Sequence, residues 1–418
     1  MVRVQDLITL KNEIGFNNKE IFLMHRNKKI LRIVIDNMNT VDVRFDLIET
    51  LYGIGEEHEV PLIFDNYLLG SLGNLSFSTV FNIWLMNREM FLTDESVSDL
   101  KKDLKYNHLS ILDLLLYTKG LSLSDDWWVQ ESDLNLNWFD IQPKVLYFNK
   151  VVKCFKPIDI KSNILNTLID SDVYTVNSDG IFKIHQPLIN LELGGLSTCA
   201  GMISLHFFNA FNIQVQNCDS IKYNFKLCLR EKLKESRSIS VKNYLISKGI
   251  LDTSYLSLTD VLNSLNIYNT DLIEDFKKLF ILYWVIENRE VSLDKIMLEL
   301  DENNDIVKLA PQSPITKSLF VGENLDDVKG TDFKKFTRFN CFHTTNMKQA
   351  IGLINESHTP LIKELEDTIN SKEFKDLTKN EMLKYFRVEN KDMQMLIEFV
   401  NTLLKVRIDI LKYLTNRV

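Results

Sequence analysis

The stretch from Asp271 to Phe320 decides the fold of this chain, and it reads DLIEDFKKLFILYWVIENREVSLDKIMLELDENNDIVKLAPQSPITKSLF. Its first part, up to Arg289, has apolar residues at helical spacing and predicts a long helix with one wide apolar face. The polar residues 290–295 predict a loop, and the apolar run after them predicts a strand that ends at Asp301. A turn at 302–305 then leads into an extended segment. Helix, loop, hairpin and extended segment therefore follow one another in that order.

The composition bounds the architecture around this stretch. The chain has 418 residues, of which 45% are hydrophobic and 25% are charged, and this is an ordinary globular mixture. A chain of this length exceeds one small core, so two or three sub-domains are expected. Only 14 glycines and 7 prolines occur, which disfavours a turn-rich all-β fold and favours long helices.

The charge and the cysteines restrict the class of function. Lysine and arginine number 49 against 57 acidic residues, and a chain with a net charge of -8 is a poor default nucleic-acid binder. The 5 scattered cysteines form no CxxC pair, which favours a reducing, cytoplasmic location over a disulfide framework. No signal peptide and no membrane span are expected. The scattered histidines, His185 among them, are interpreted as core or surface residues and not as metal ligands.

The remaining chain alternates between strand-like and helical patterns. Ile21–Asp36 predicts a hairpin around a polar turn, and a helix at 110–118 is expected to end at Gly120. Residues 144–215 are expected to be rich in strands and to end in a helix that follows Gly194 and Gly195. Residues 222–290 are expected to be helical with two breaks. Further helices are predicted at 346–357, 360–369 and 390–414.

Three tryptophans, Trp127, Trp128 and Trp138, lie within twelve residues. One interpretation is an anchor that packs an irregular segment onto a neighbouring lobe. The other is an aromatic platform for a base or a peptide. The neighbouring acidic residues, Asp125 and Asp126 among them, disfavour nucleic acid and support the anchor.

These segments together resemble the HipA-like kinases of bacteria. The specific match is the tryptophan-rich segment, and it is supported by a W-L-x-x-R helix and by the N-terminal hairpin. The matching residues are Met24, His25, Ile33, Ile35, Asp36, Trp84, Leu85, Arg88, Gly120, Leu121, Ser122, Leu123, Ser124, Asp125, Trp128, Trp138 and Asp140. The resemblance implies an α+β, two-lobed, protein-kinase-like fold. It would comprise a mixed β/α N-terminal region at 1–143, a small lobe at 144–220 and a predominantly helical large lobe at 221–418.

The resemblance also assigns positions for nucleotide binding. Lys183, in a predicted strand, matches the lysine that would hold the phosphates of ATP. The helix that should carry its acidic partner has Ala200, Gly201, Met202 and Ile203 at the expected place, and Glu192 lies before the two glycines. The lysine would therefore have no helix carboxylate to fix its position.

The same resemblance places the catalytic loop and the metal site within Asp271–Phe320. Glu290 takes the position of the base aspartate, and Lys295 takes that of a magnesium-binding asparagine. Asp294 is a speculative metal ligand beside it. Pro314 stands where the metal aspartate should be, and proline offers no side-chain ligand. Since magnesium is usually held by one or two carboxylates, these departures predict a degenerate site.

Two classes of function remain open on the sequence. The first is a catalytically degenerate kinase, a pseudokinase, that acts by binding a protein partner in a toxin–antitoxin or regulatory role. The alternative is an atypical ATP-dependent Ser/Thr kinase or nucleotidyl-transferring enzyme with a rearranged metal site. No cofactor is expected in the first case, and ATP with Mg²⁺ would bind only if the pocket survives. Membrane association and direct nucleic-acid binding are not expected.

Overall fold

The structure is a computed structural model, and it describes residues 19–36, 43–53, 60–88, 90–93, 96, 111–123, 125–155, 170–190, 193–233, 238–253, 256, 258–265, 270–286, 292–301, 303–319, 321 and 358–415. The chain divides into two compact units. The first comprises Met1–Ile184, Ile246–Ile250 and Glu302–Asn304, and the second comprises His185–Leu245, Leu251–Asp301 and Asp305–Val418. This boundary falls inside the segment 144–220 that the sequence suggests as a small lobe, and the three-part division stays a prediction.

The first unit begins with an antiparallel sheet whose strands are β1 (Lys19–His25), β2 (Lys28–Asp36), β3 (Arg44–Thr50) and β5 (Trp127–Glu131), in the order β3-β2-β1-β5. The predicted N-terminal hairpin is confirmed as β1 and β2. Alternate residues of the two strands, such as Ile21, Leu23 and Ile33, are fully buried. Phe22 and Met24, on the other face of β1, are also buried and pack with Trp128 and Trp138, so this strand is covered on both faces.

Three helices cover that core: α1 (Leu62–Leu68), α2 (Phe77–Met86) and α3 (Ile111–Thr118). Ser76 caps α2 because its side chain accepts a hydrogen bond from the Thr79 amide. The rings of Phe64, Phe81 and Trp84 lie within 5.9 Å of one another and fill the space between helix and sheet. Gly120 closes α3 with a φ of 58°, as its position after the helix predicts.

The tryptophan-rich segment is an anchor, but it packs within the first unit and includes a regular strand, whereas the first interpretation expected an irregular segment on a neighbouring lobe. It contains β5 and the short helices α4 (Trp138–Ile141) and α5 (Pro143–Leu146). Trp128 is fully buried, and its indole N–H donates to the Arg26 carbonyl at 2.7 Å. Trp138 is also buried, and its amide donates to Asn27 Oδ1 at 2.7 Å. Both tryptophans therefore tie the segment to the turn between β1 and β2.

A buried arginine explains why the W-L-x-x-R helix and the tryptophan-rich segment occur together. Arg88 is 5% exposed and makes a bidentate pair with Asp125 at 2.8 and 2.9 Å. It also donates to the carbonyls of Gly120 and Trp127. Its guanidinium lies 4.6 Å from the centre of the Trp84 ring. One side chain thus joins three segments of the first unit.

A second antiparallel ladder follows in the chain. It contains β4 (Met90–Thr93), β6 (Val151–Phe155), β7 (Asp170–Asn177) and β8 (Gly180–His185), which are neighbours in that order. The turn predicted at Asn177–Gly180 is confirmed, since these two residues pair across the hairpin of β7 and β8. This ladder carries Lys183.

The second unit contains the helix that follows the two glycines, α6 (Ser197–Ala210), after a short 3-10 turn at Gly194–Leu196. The helical interpretation of residues 222–240 is wrong. This stretch contains most of an antiparallel hairpin of β9 (Cys218–Tyr223) and β10 (Lys226–Lys232), and then β11 (Ser238–Ser240). The lysine, leucine and arginine residues of β10 have high helix propensity, but the burial of Cys228, Leu229 and Glu231 in the sheet overrides it.

The stretch from Asp271 to Phe320 folds as predicted where the structure describes it. It contains α9 (Thr270–Val285), β12 (Met297–Leu300) and β13 (Ile306–Leu309), and α7 (Val241–Ser247) and α8 (Leu258–Ser264) precede it. Strand β12 lies between β11 and β13 in an antiparallel sheet. Seven consecutive residues of α9, from Leu279 to Val285, are buried, so this helix is a core element of the second unit.

Three helices end the described chain: α10 (Thr359–Asn370), α11 (Lys372–Phe386) and α12 (Lys391–Thr415). The first and last confirm predicted helices, and α11 was not predicted. The helix predicted at 346–357 lies outside the described residues. Arg407 of α12 is 1% exposed and donates to the Trp284 carbonyl at the end of α9. Among the described helices, none has the length and hydropathy that a membrane crossing requires.

Candidate functional site

The segment Ala310–Leu319, which should carry the metal carboxylate, is held tightly inside the second unit. The Ile315 amide donates to Ser204 Oγ of α6 at 3.0 Å. The Leu319 amide donates to the Ile286 carbonyl, just beyond α9, at 2.8 Å. Gln312 accepts a hydrogen bond from the Tyr283 hydroxyl at 2.7 Å. The segment therefore has a defined path between α6 and α9.

Pro314 lies against the place where the helix carboxylate is missing. Pro314 is buried, and a Cβ built on Gly201 would lie 3.3 Å from the Pro314 Cβ and 3.3 Å from Thr316 Cγ2. The same Cβ would lie 2.5 Å from Leu229 of β10, which is fully buried. A side chain at position 201 would require these neighbours to move. Pro314 and Gly201, two positions where the resemblance leads one to expect other residues, are thus adjacent in space. The absence of a side chain at Gly201 leaves room for the proline ring.

A buried polar cluster lies beside this contact. Glu231 of β10 is 2% exposed, and Ser313 donates to its Oε1 at 2.6 Å. His185 Nε2 lies 2.5 Å from the other oxygen of Glu231. A buried carboxylate requires such partners, because leaving it unpaired would cost several kcal/mol. His185 is partly buried and hydrogen-bonded, in line with the interpretation of a satisfied core or surface histidine.

Sequence reasoning did not find this cluster. Glu231 and Ser313 are separated by 82 positions in the chain, and no local pattern connects them. Burial in β10 does not alternate, because the adjacent Cys228 and Leu229 are both buried, so no sequence pattern marked Glu231 as a buried residue. The cluster fixes the residue that directly precedes Pro314.

Lys183, the expected phosphate lysine, has a carboxylate partner on its own sheet. Its Nζ lies 3.0 Å from Asp172 Oδ2 of the adjacent strand β7, and both side chains are about one quarter exposed. A lysine in a working kinase site is held by a glutamate on a helix. In this chain the carboxylate that pairs with Lys183 lies on a neighbouring strand and not on a helix. The phosphate role of Lys183 stays a prediction.

Asp294 and Glu290 are the two remaining candidate site residues. Asp294 is 51% exposed and pairs with Lys242 at 3.4 Å, near the start of α7. Such an exposed pair contributes at most about 1 kcal/mol. Glu290 lies outside the described residues. In the parts of the chain that the structure describes, no group of three or more His, Cys, Asp or Glu side chains could hold a metal ion.

Cysteine chemistry is disfavoured around this site. Burial and the nearby Glu381 raise the pKa of the Cys199 thiol on α6 to about 12. Burial, with Glu231 and Asp219, also raises the pKa of Cys218. Since the thiolate is the reactive form, neither residue is a nucleophile near neutral pH.

Comparison with solved structures identifies the fold. HipA, in a structure of the Shewanella oneidensis MR-1 toxin–antitoxin system HipA, HipB and its operator DNA complex, matches with a TM-score of 0.54 and 9% sequence identity. The match covers 95% of this chain and 99% of HipA. The Helicobacter pylori proinflammatory kinase CtkA matches with a TM-score of 0.41 and 13% identity, over 59% of this chain and 90% of that one. No protein-family model and no curated protein matches the sequence.

The chain therefore has a mixed α/β, HipA-like kinase fold. This confirms the fold class that the sequence resemblance implied, and it does so along nearly the whole chain.

Proposed function

We propose that this protein is a pseudokinase, that is, a kinase-fold protein without metal-dependent phosphoryl transfer that acts by binding another protein. The packing of Pro314 against Gly201 carries the proposal. Phosphoryl transfer depends on magnesium to neutralise charge on the phosphates. By the resemblance, Pro314 stands at the position of the metal carboxylate, and its ring lies beside Gly201, which belongs to the stretch 200–203 where the helix carboxylate is expected.

The environment of Pro314 also argues against a simple rearrangement of the metal site. Ser313 is bonded to the buried Glu231, and Ile315 is bonded to Ser204 of α6. Both neighbours of Pro314 are thus fixed in place. The carboxylate beside this position, Glu231, is already bonded to Ser313 and His185, and it could serve a metal only if these hydrogen bonds were broken, at about 1 kcal/mol or more for each.

A kinase fold that lacks its metal site can still bind another protein, so protein binding is the simplest function that remains to it. HipA is found together with HipB and operator DNA in the complex cited above. We infer that this chain likewise works within an assembly, in a toxin–antitoxin or regulatory role. Its net charge of -8 makes a protein a better direct partner than nucleic acid.

A thermal-shift titration with ATP tests the loss of the nucleotide site. A ligand stabilises the folded state by RT ln(1 + [L]/Kd), which is about 2.7 kcal/mol at one hundred times Kd. We expect that millimolar ATP, with or without magnesium, shifts neither the melting temperature of wild type nor that of Lys183→Ala.

A magnesium-dependent rise in the melting temperature that disappears in Lys183→Ala would contradict the proposal. The binding of a protein partner supplies the complementary control. If the chain acts by binding alone, the Lys183→Ala variant should bind a partner of the wild-type protein with the same affinity.

A further inference from the structure

A short segment of the first unit exposes five large apolar side chains within thirteen residues. They are Phe139 (67% exposed), Val145 (50%), Leu146 (37%), Phe148 (48%) and Val151 (36%). In the rest of the chain that the structure describes, no stretch of this length has more than two such side chains. Single exposed apolar residues are ordinary on soluble proteins, whereas an exposed apolar patch marks an interaction site. We call this set the 139–151 patch.

The backbone of the 139–151 patch is fixed by residues that point into the first unit. Trp138 is buried, and the Tyr147 hydroxyl donates to the Phe91 carbonyl at 2.7 Å. Between these two anchors the chain makes consecutive turns, such as the one that the Gln142 amide closes on the Trp138 carbonyl. Because the chain keeps turning, the five side chains lie within a distance on the order of 20 Å. The patch is therefore preorganised, and a contact with it orders few further groups.

The exposed charges of the 139–151 patch differ in sign between its two ends. Asp140 follows Phe139 at the start of the patch, and Lys150 precedes Val151 at its end. Lys144 lies between them and already interacts within its own chain. A surface of one sign would repel a second copy of itself and would suit a partner of the opposite charge. A twofold axis through this patch instead places each end against the oppositely charged end of the other copy.

The exposed area of the patch is large enough for a dimer. The five side chains together present roughly 400 Å² of apolar surface, since a whole aromatic side chain presents about 150–250 Å². Interfaces are about 56–65% apolar, so a contact centred on the patch would bury about 700 Å² of each copy. A specific interface of standard size buries about 800 Å² of each partner. Both the area and the charges therefore fit a second copy of this chain.

We propose that the 139–151 patch is a twofold contact surface at which two copies of this chain form a closed dimer. Phe139 of each copy packs against Phe148 and Val151 of the other, and Asp140 of each copy pairs with Lys150 of the other. Because both copies use the same surface, assembly ends at the dimer. The inference does not rest on the proposed function, since a pseudokinase and an active kinase could both form this contact.

Sedimentation velocity over a concentration series that reaches about 100 μM tests the contact. The mass of the wild-type chain is expected to rise toward twice that of the monomer and no further. In Phe139→Ala the dissociation constant should rise by at least about 30-fold, because the contact contains this aromatic anchor twice. Leu69→Ala is the matched control, since Leu69 is 70% exposed and belongs to the first unit but lies outside the patch. It should dimerise as wild type does.

Reversal of the two charges separates a twofold contact from other routes to a dimer. Asp140→Lys and Lys150→Glu each place like charges against each other, so each variant alone should dimerise at least about tenfold more weakly than wild type. An equimolar mixture of the two variants restores opposite charges at both pairs and should form a mixed dimer as strongly as wild type does. The double variant Asp140→Lys with Lys150→Glu should dimerise alone.

A wild-type chain that stays monomeric at every concentration would overturn the proposal and leave the patch to a different protein. Unchanged dimerisation of Phe139→Ala, oligomers larger than a dimer, or single charge variants that their mixture does not rescue would also overturn it. The urea midpoint of Phe139→Ala, measured where the wild-type chain is monomeric, should equal that of wild type, because an exposed side chain contributes little to folding. This midpoint shows that the variant is folded.

Discussion

Replacement of Arg88 by methionine is expected to destabilise the first unit by about 3 kcal/mol or more. The substitution retains most of the apolar volume of the side chain and removes the guanidinium. Asp125 and the carbonyls of Gly120 and Trp127 then lose their donors in a buried setting. Removal of one partner of a buried ion pair typically costs about 3–5 kcal/mol. Urea unfolding followed by tryptophan fluorescence measures the change, since Trp284 is the only one of the 5 tryptophans in the sequence outside this unit.

Arg26→Met is the matched control for that experiment. Arg26 pairs with Asp126 at 2.7 Å, but the side chain is 64% exposed. An exposed pair of this kind contributes about 0–1 kcal/mol. Equal losses of stability in the two variants would show that the buried network of Arg88 does not hold the tryptophan-rich segment.

Gly194→Ala is expected to cost about 3 kcal/mol or more in the second unit. An added Cβ would lie 1.7 Å from the carbonyl oxygen of Leu188, which is a backbone atom and cannot rotate away. The Leu188 amide is bonded to the Gly194 carbonyl and to Ser197 Oγ, so a shift of this backbone also breaks the entry into α6. The free energy of unfolding in urea, followed by circular dichroism, gives the effect.

The neighbouring glycine provides the comparison. A Cβ on Gly195 would lie 2.9 Å from the Tyr385 hydroxyl, the far end of a side chain that is 43% exposed and can swing away. Gly195→Ala should therefore change stability by less than about 1 kcal/mol. If Gly194→Ala were equally mild, the close approach of Leu188 to the start of α6 would be refuted.

Local sequence patterns predicted those parts of the fold that local physics determines. The two apolar runs around the polar turn in Ile21–Asp36 and the apolar face of α9 require no distant partner to be interpreted. The order of the segments and the tryptophan-rich match predicted the kinase-like fold. Residues 222–240 were mispredicted because the lysine and leucine residues of β10 favour a helix in isolation, and pairing with β9 reverses this preference.

For the candidate site, the sequence predicted only which positions lack the residues expected of a kinase. The resemblance predicts that Pro314 and the stretch 200–203 lack the expected carboxylates, but the sequence does not reveal that Pro314 lies against Gly201. The hydrogen bonds of Glu231 to Ser313 and His185 join residues that are far apart in the chain, so only the tertiary structure reveals them. Asp172, the partner of Lys183, was missed for a related reason, since the pairing depends on the register of β7 and β8.

Label transfer from ATP is the most direct test of the claim that this kinase fold lacks phosphoryl transfer. The purified chain is incubated with magnesium and with ATP labelled at the γ- or the α-phosphate, alone and with a dephosphorylated protein extract. If the chain is a pseudokinase, no protein gains γ- or α-phosphate label above the level of a heat-inactivated control. Magnesium-dependent label from the γ-phosphate, lost in Glu290→Ala, would contradict it and establish an atypical kinase. Label from the α-phosphate would instead establish nucleotidyl transfer.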